Sequence, residues 1–149
     1  FTTLGQTLDQ YQRAMASINR VMNLLDTPIA IPTGTRSLPI HQVRGDVEFE
    51  NITFAYSDRT PALKELSLHI PAGQTIGIVG ATGSGKSTLV KLLLRFYEIQ
   101  QGRILIDGID IRELTLTDLR RCIGWVSQEV FLFHGTVAEN IAYGSFDAA

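Results

Sequence analysis

Hydrophobic residues near the start of the chain recur at alternating spacings of four and three. They are Leu4, Leu8, Tyr11, Met15, Ile18, Met22 and Leu25, with polar residues between them. This spacing predicts an amphipathic helix with one apolar seam. A heptad pattern this short is more typical of a helix that packs on neighbouring helices than of an independent coiled coil, and either arrangement needs a partner.

The following stretch, residues 28–43, has no apolar period. It contains Pro28, Pro32, Gly34 and Pro39. Because proline restricts the residue before it and removes a backbone donor, we predict a linker rather than a helix or strand.

Strand-like and helix-like patterns alternate over the rest of the chain. The predicted strands are residues 47–54, 66–70, 75–79, 103–106 and 123–127. The predicted helices are residues 87–97, residues 117–121 with Thr117 as N-cap, and a short helix from Thr136 with a capping box completed by Glu139. The first two strands are expected to pair antiparallel, and the alternation as a whole predicts an α/β fold.

Composition and charge narrow the class of protein. The chain has 149 residues, 44% of them hydrophobic, and a net charge of −2 from 13 basic and 15 acidic residues. It is too apolar for a disordered chain, and it lacks the basic blocks of a nucleic-acid-binding protein, so no nucleic acid partner is expected. Its single cysteine, Cys122, excludes an internal disulfide. The chain opens on Phe1 rather than Met, and we expect an internal piece of a longer protein.

One motif in the chain points to a specific chemistry. Between the predicted strand 75–79 and the predicted helix 87–97, the sequence reads Gly80, Ala81, Thr82, Gly83, Ser84, Gly85, Lys86, Ser87. This is the pattern G-x-x-x-x-G-K-[ST] of a phosphate-binding loop, in the strand-loop-helix context that such a loop requires.

Each residue type in the loop has a physical reason. Glycines let backbone N–H groups turn towards a polyphosphate without side chains in the way. The N-terminus of the next helix adds its free amides and positive dipole end, while Lys86 adds a full charge for the β- and γ-phosphates. Ser87 offers a hydroxyl to Mg²⁺, and Thr88 extends the polar lining. The loop therefore predicts a site for a nucleotide and Mg²⁺, and the family resemblance described next implies that the nucleotide is ATP.

Four further blocks carry a family resemblance. They begin at Val47 (VEFENITFAY), Ala62 (ALKELS), Gly102 (GRILIDG) and Val126 (VSQE), and are followed by the stretch LFHGTVAENI from Leu132. With the phosphate loop, these blocks resemble the nucleotide-binding domain of ABC transporters of the exporter type. The resemblance implies a P-loop ATPase core with an antiparallel β subdomain, here truncated and preceded by an amphipathic helix.

The resemblance also implies roles for residues that the pattern alone leaves ambiguous. Tyr56 matches the aromatic residue that stacks on adenine, although by itself it reads as a core residue at a strand end. Gln128 matches the glutamine that reaches Mg²⁺, where pattern alone indicates a surface residue. Asp107 follows an apolar run but precedes Gly108 instead of a second carboxylate, so we assign it a structural role. The three histidines lack metal-ligand spacing, and none is expected to be catalytic.

In such exporters, residues 1–27 would be the cytoplasmic end of the last transmembrane helix, residues 28–43 the linker, and residues 44–149 the first part of the ATPase domain. The expected partners are a transmembrane domain in the same polypeptide and a second ATPase domain, identical or different, with this portion on the cytoplasmic face of the cell membrane. Lys86 and Gln128 would contribute to a catalytic site that the 149 residues do not complete, because they contain no LSGGQ signature. A soluble ABC ATPase and a nucleotide-binding module without turnover remain alternatives.

Overall fold

The fold is organised around a four-stranded sheet, and the sequence pattern predicts three of its strands. The structure, a computed structural model, describes residues 2–26, 31–57, 60–128 and 131–144. Its strands are β1 (Val47–Phe54), β2 (Leu63–Ile70), β3 (Gln101–Ile106) and β4 (Ile109–Asp110). Its helices are α1 (Thr2–Leu25), α2 (Lys86–Leu93), α3 (Leu116–Arg121) and α4 (Val137–Ala142), and a short 3-10 helix spans Ile40–Gln42.

The four strands form one antiparallel sheet in the order β2-β1-β3-β4. The predicted antiparallel pair is confirmed, with Val47 opposite Ile70 and Phe49 opposite Leu68. One side of the sheet packs against α2 and α3. The core residues exposed by at most 3% are Phe49, Ile52, Phe54, Leu92, Ile104, Ile106, Leu114 and Leu119.

The hairpin between β3 and β4 turns at Asp107 and Gly108, which both have positive φ (51° and 79°). An Asp-Gly pair suits a two-residue turn of this type. The Asp107 carboxylate accepts hydrogen bonds from the backbone N–H groups of Arg44 (2.8 Å) and Asp46 (2.9 Å). Asp107 therefore holds the chain as it enters β1, in agreement with the structural role expected for it.

Helix α2 ends four residues earlier than predicted. Arg95 follows the C-cap residue Leu94 in the left-handed region (φ 52°), its N–H donates to Leu92 O, and the Phe96 N–H donates to Lys91 O. This is a Schellman termination, which usually employs glycine. The Arg95 side chain is 3% exposed and its Nε donates to Glu98 Oε1 (2.7 Å). The prediction failed because this helix stop depends on a buried side chain rather than on glycine.

Two predicted strands, residues 75–79 and 123–127, are not strands in the structure. Both segments are largely exposed, Val79 by 92% and Val126 by 94%. A strand exists through hydrogen bonds to its neighbours, and within the described residues neither segment joins the sheet. Apolar composition alone therefore overpredicted these two elements.

The start of α3 also differs from its prediction. The N-cap is Thr115, whose Oγ1 accepts a hydrogen bond from the Asp118 N–H (3.2 Å), and not Thr117. Both threonines are compatible with an N-cap in sequence, and the tertiary contacts of Thr115 decide between them.

For α4 the predicted capping box is confirmed: the Glu139 N–H donates to Thr136 Oγ1, and the Thr136 N–H donates to Glu139 Oε2.

Helix α1 confirms the predicted N-terminal helix. Tyr11, Ile18 and Met22 of the predicted seam are each at least half exposed. No helix in the part of the chain that the structure describes is both long and apolar enough to cross a membrane.

Part of the predicted linker is attached to α3 and the turn before it. The backbone N–H groups of Gly34 and Arg36 donate to Leu114 O (3.1 Å) and Glu113 O (2.8 Å), and the Thr115 N–H donates back to Arg36 O (2.9 Å). Leu38 is buried nearby. Apart from the 3-10 helix and an isolated bridge, the segment has no regular structure over residues 31–43, as its prolines predict.

Asp118 makes this attachment sensitive to pH. The pKa of the Asp118 carboxyl lies below its ordinary value. The largest cause is the hydrogen bond from the Ser37 hydroxyl (2.7 Å), and the next is the hydrogen bond from the Leu38 N–H (3.2 Å). Its stabilising contribution is therefore complete above the unfolded pKa of about 3.9 and is lost as the pH falls through the folded pKa.

We expect the Asp118→Asn variant to be less stable than the unsubstituted chain at neutral pH and to differ less from it in acid. Urea unfolding followed by circular dichroism between about pH 6 and pH 2.5 measures this difference. Asp26→Asn, at the exposed end of α1, is the control. Its unfolding free energy is expected to change with pH as that of the unsubstituted chain does. Parallel curves for the Asp118→Asn variant and the unsubstituted chain would contradict the prediction.

Candidate functional site

The loop between residues 80 and 85 leads directly into α2. Gly85 is the N-cap of α2, with φ 89°, and its carbonyl accepts from the N–H groups of Thr88 (3.0 Å) and Leu89 (3.1 Å). A Cβ on Gly85 would lie 2.7 Å from Leu63 Cδ2 and 2.8 Å from Ala62 O. The positive φ and the lack of room for a Cβ therefore both require glycine at position 85. The contacts with Ala62 and Leu63 show that the loop packs closely against the start of β2.

The Lys86 side chain folds back over this loop. Its Nζ donates to the carbonyls of Gly80 (2.7 Å) and Ala81 (2.8 Å). The ammonium therefore lies at the loop, at the positive end of α2, which is the position from which a lysine can bind a polyphosphate. Ala81, Thr82, Gly83 and Ser84 are exposed around it.

Tyr56 lies close to the beginning of α2. Its hydroxyl is 3.1 Å from Thr88 Oγ1, and Thr88 itself is buried. The Tyr56 ring makes edge-on contacts with Phe54 and Tyr97, at centroid distances of 4.8 and 5.0 Å. One hydrogen bond thus joins the predicted base-stacking residue to the first turn of α2, directly after the predicted phosphate loop.

Ser87 and Gln128, the two predicted metal ligands, line the same cleft. The cleft has a volume of about 490 Å³, and its other walls are Val90, Lys91, Trp125, Val126 and Ser127. Both predicted ligands are exposed to it. In sequence they are forty-one residues apart, so their meeting in one cleft is a result of the fold.

The residues present fit a nucleotide with a bound Mg²⁺. Residues 81–84 of the loop are exposed, Lys86 provides the charge, and the Ser87 hydroxyl and the Gln128 amide provide oxygen ligands of the kind that Mg²⁺ prefers. Within the described ranges, no group of three or more His, Cys, Asp or Glu side chains could hold a metal ion.

Two residues near Tyr56 were not identified from the sequence. Tyr97 contributes a ring to the aromatic cluster, and Gln100 hydrogen-bonds the backbone immediately before Tyr56. The predicted helix 87–97 has Tyr97 as its last residue, whereas α2 ends at Leu93. Gln100 is followed by Gln101, and nothing in the sequence distinguishes the two glutamines.

Comparison with known proteins gives a consistent result. The sequence profile of the ABC transporter family matches residues 63–149. A fatty acid ABC transporter ATP-binding/permease protein of Mycobacterium bovis is 50% identical over 137 residues, which are 92% of this chain and 21% of that protein. The ATP-dependent lipid A-core flippase of Escherichia coli K12 is 50% identical over 135 residues, which are 90% of this chain and 23% of that protein.

A solved structure of a bacterial Atm1-family ABC exporter with ATP bound is also similar. It is 37% identical, with a TM-score of 0.77, over 95% of this chain and 25% of that one. This similarity confirms the predicted fold class. The chain spans between 21% and 25% of the length of these three relatives.

Proposed function

Because the chain belongs to the ABC transporter family, we propose that it is the ATP-binding portion of an exporter in which permease and ATPase share one polypeptide. The intact protein would couple ATP binding and hydrolysis to the movement of a substrate across a membrane. The observation that carries the proposal is the Lys86 ammonium, held 2.7 Å and 2.8 Å from two carbonyls of a glycine loop at the N-terminus of α2. The similarity to fused ATP-binding/permease proteins favours an exporter over a soluble ABC ATPase.

At this site, residues of the chain itself bind and orient the nucleotide. The loop from Gly80 to Gly85 would receive the phosphates, with Lys86 replacing its bonds to the loop carbonyls by bonds to phosphate oxygens. Tyr56 would contact the base, and Thr88 would line the site beside it. Ser87 and Gln128 would hold Mg²⁺, which supplies charge neutralisation of the phosphates when bound.

The remaining assignments follow from the same proposal. Residues 1–27 would be the cytoplasmic end of the last transmembrane helix and residues 28–43 the linker to the ATPase domain, which begins at residue 44. The half-exposed apolar residues of α1 suit a helix that packs on others. The partners would be a transmembrane domain of the same polypeptide and a second nucleotide-binding domain, with this portion on the cytoplasmic face of the cell membrane.

We expect the 149-residue chain to bind ATP with Mg²⁺ but not to hydrolyse it. The chain contains no LSGGQ sequence and no adjacent Asp-Glu pair after an apolar strand, so it lacks a carboxylate to orient the attacking water. Equilibrium dialysis measures binding, and release of inorganic phosphate measures turnover. Phosphate release that the Lys86→Ala variant abolishes would contradict the expected inactivity, and absence of binding would contradict the proposed function.

Replacing Tyr56 by alanine tests the base contact. Stacking of an aromatic ring contributes about 0.5–1.5 kcal/mol, so we expect ATP to bind roughly two- to tenfold more weakly. Inorganic tripolyphosphate, which has no base, should bind as it does to the unsubstituted chain. Tyr143→Ala, an exposed tyrosine at the end of α4, is a matched control. Equal weakening for both ligands would show that Tyr56 acts on the loop and not on the base.

A further inference from the structure

The side-chain amide of Gln100 pairs with the backbone of Ala55 through both its oxygen and its nitrogen. Its Oε1 accepts from the Ala55 N–H, and its Nε2 donates to Ala55 O, each at 3.0 Å. The backbone N–H of Gln100 also donates to Thr53 O (3.2 Å). Two parallel hydrogen bonds fix the orientation of the Ala55 peptide groups as well as their distance from Gln100.

This pair of bonds continues the sheet beyond its last strand residues. Strand β1 ends at Phe54 and β3 begins at Gln101, which lies opposite Thr53. The Gln100 amide therefore takes the place that the peptide group of a further paired residue would have. It holds Ala55 in line with the end of β1.

Ala55 is the residue immediately before Tyr56. After it the chain turns, with Ser57 at positive φ (43°). The Tyr56 ring lies edge-on to Phe54 on one side and its hydroxyl is 3.1 Å from Thr88 Oγ1 on the other. The Tyr56 ring thus follows directly after the peptide groups that Gln100 holds, and its hydroxyl end is held at Thr88.

We infer that Gln100 is a positioning residue for the base end of the nucleotide site, acting through Ala55 on Tyr56. This inference rests on the proposed function, in which Tyr56 contacts the base. The amide does not reach the ligand in this role. Loss of its two bonds would let the segment after β1 rotate and would lower the fraction of molecules in which Tyr56 is aligned.

Gln100 is exposed, so it can be replaced without opening the core. Gln100→Ala removes both bonds. Gln100→Glu has the same size and keeps an acceptor for the Ala55 N–H, but it places an oxygen against Ala55 O. Gln101→Ala, one residue further on and also exposed, is the matched control. Circular dichroism establishes that each variant is folded.

The affinities of ATP with Mg²⁺ and of inorganic tripolyphosphate are measured on the full chain by equilibrium dialysis. We expect the Gln100→Ala and Gln100→Glu variants to bind ATP about two- to fivefold more weakly, since only part of the stacking is lost. Their affinity for tripolyphosphate should not change, and Gln101→Ala should leave both ligands unaffected. In the Tyr56→Ala background, Gln100→Ala should have no further effect, because the ring that it positions is gone.

The outcomes separate this inference from the proposal on which it rests. If Tyr56→Ala leaves ATP affinity unchanged, the proposed base contact is wrong whatever Gln100 does. If Tyr56→Ala weakens ATP and neither Gln100 variant does, only the positioning role is overturned. Equal weakening of ATP and tripolyphosphate by the Gln100 variants, or an undiminished effect in the Tyr56→Ala background, would also overturn it.

Discussion

The Lys86→Ala variant is expected to bind ATP about ten- to a hundredfold more weakly than the unsubstituted chain, since a hydrogen bond to a charged group contributes about 1.5–3 kcal/mol. This loss exceeds the one expected for Tyr56→Ala, because a charge-assisted contact is stronger than ring stacking. Unlike Tyr56→Ala, it should weaken tripolyphosphate binding as well, since in the proposed site the ammonium binds the phosphates.

The structure also limits the size of this effect. The Lys86 ammonium already has two carbonyl partners, Gly80 O and Ala81 O, which the phosphate must replace. The net gain on binding is the difference between the two sets of bonds, so the lower part of the range is expected.

Lys64→Ala, an exposed site on β2, removes the same charge and serves as control. Equilibrium dialysis with both ligands measures the affinities. An affinity loss for Tyr56→Ala equal to or larger than that for Lys86→Ala would show that the base contact dominates the site.

The 149-residue chain on its own is expected to self-associate as its concentration rises. Residues 75–79 and 123–127 expose apolar side chains in extended segments that are not paired into the sheet. At about 25 cal/mol per Å², covering a few hundred Å² of such surface contributes several kcal/mol. That is comparable with the whole stability of a domain, about 5–15 kcal/mol. Unpaired extended backbone adds a template for pairing with another chain.

Light scattering and size-exclusion chromatography over a range of protein concentrations measure the association. The Val79→Lys/Val126→Lys double variant should shift it to higher concentration, because both sites are over 90% exposed and a lysine there disfavours contact. Thr60→Lys/Thr117→Lys adds the same charge at exposed positions outside both segments and should change little. A monomeric chain with a reversible, cooperative unfolding transition above about 55 °C would contradict the prediction. Binding experiments belong at concentrations where scattering shows the monomer.

The elements that the sequence predicts correctly are those whose signals are local. The apolar residues interleaved with polar ones in β1, and the strict alternation over residues 66–70 in β2, indicate which residues face the core. The Thr136 and Glu139 pair defines the start of α4 without help from the rest of the chain. The phosphate loop is equally local, because its glycines, lysine and serine are contiguous. The close packing at Gly85 involves β2, but the residue types that would bind phosphate are all within the loop sequence itself.

The predictions that fail depend on partners distant in sequence. Residues 75–79 are apolar enough for a strand, yet pairing is a property of two segments and not of one. The stop at Arg95 involves a buried side chain whose Nη1 donates to the carbonyls of Ile111 and Arg112, whereas a glycine stop is visible in the sequence itself. Likewise, Gln100 is distinguished from Gln101 only by the hydrogen bonds of its side chain to Ala55, 45 residues away in sequence. Function-bearing contacts of this kind, including the bond between Tyr56 and Thr88, become visible only in three dimensions.

The attachment of residues 34–38 to residues 113–118 has a mechanical consequence. A pull on the chain from its N-terminal side reaches the bonds of Gly34 and Arg36 before it reaches β1. The bonds from Ser37 and Leu38 to Asp118 come next, and those from Arg44 and Asp46 to Asp107 follow. A displacement of α1 is therefore transmitted first to the start of α3 and the β3–β4 hairpin. The sheet beside the predicted phosphate loop bears the load last.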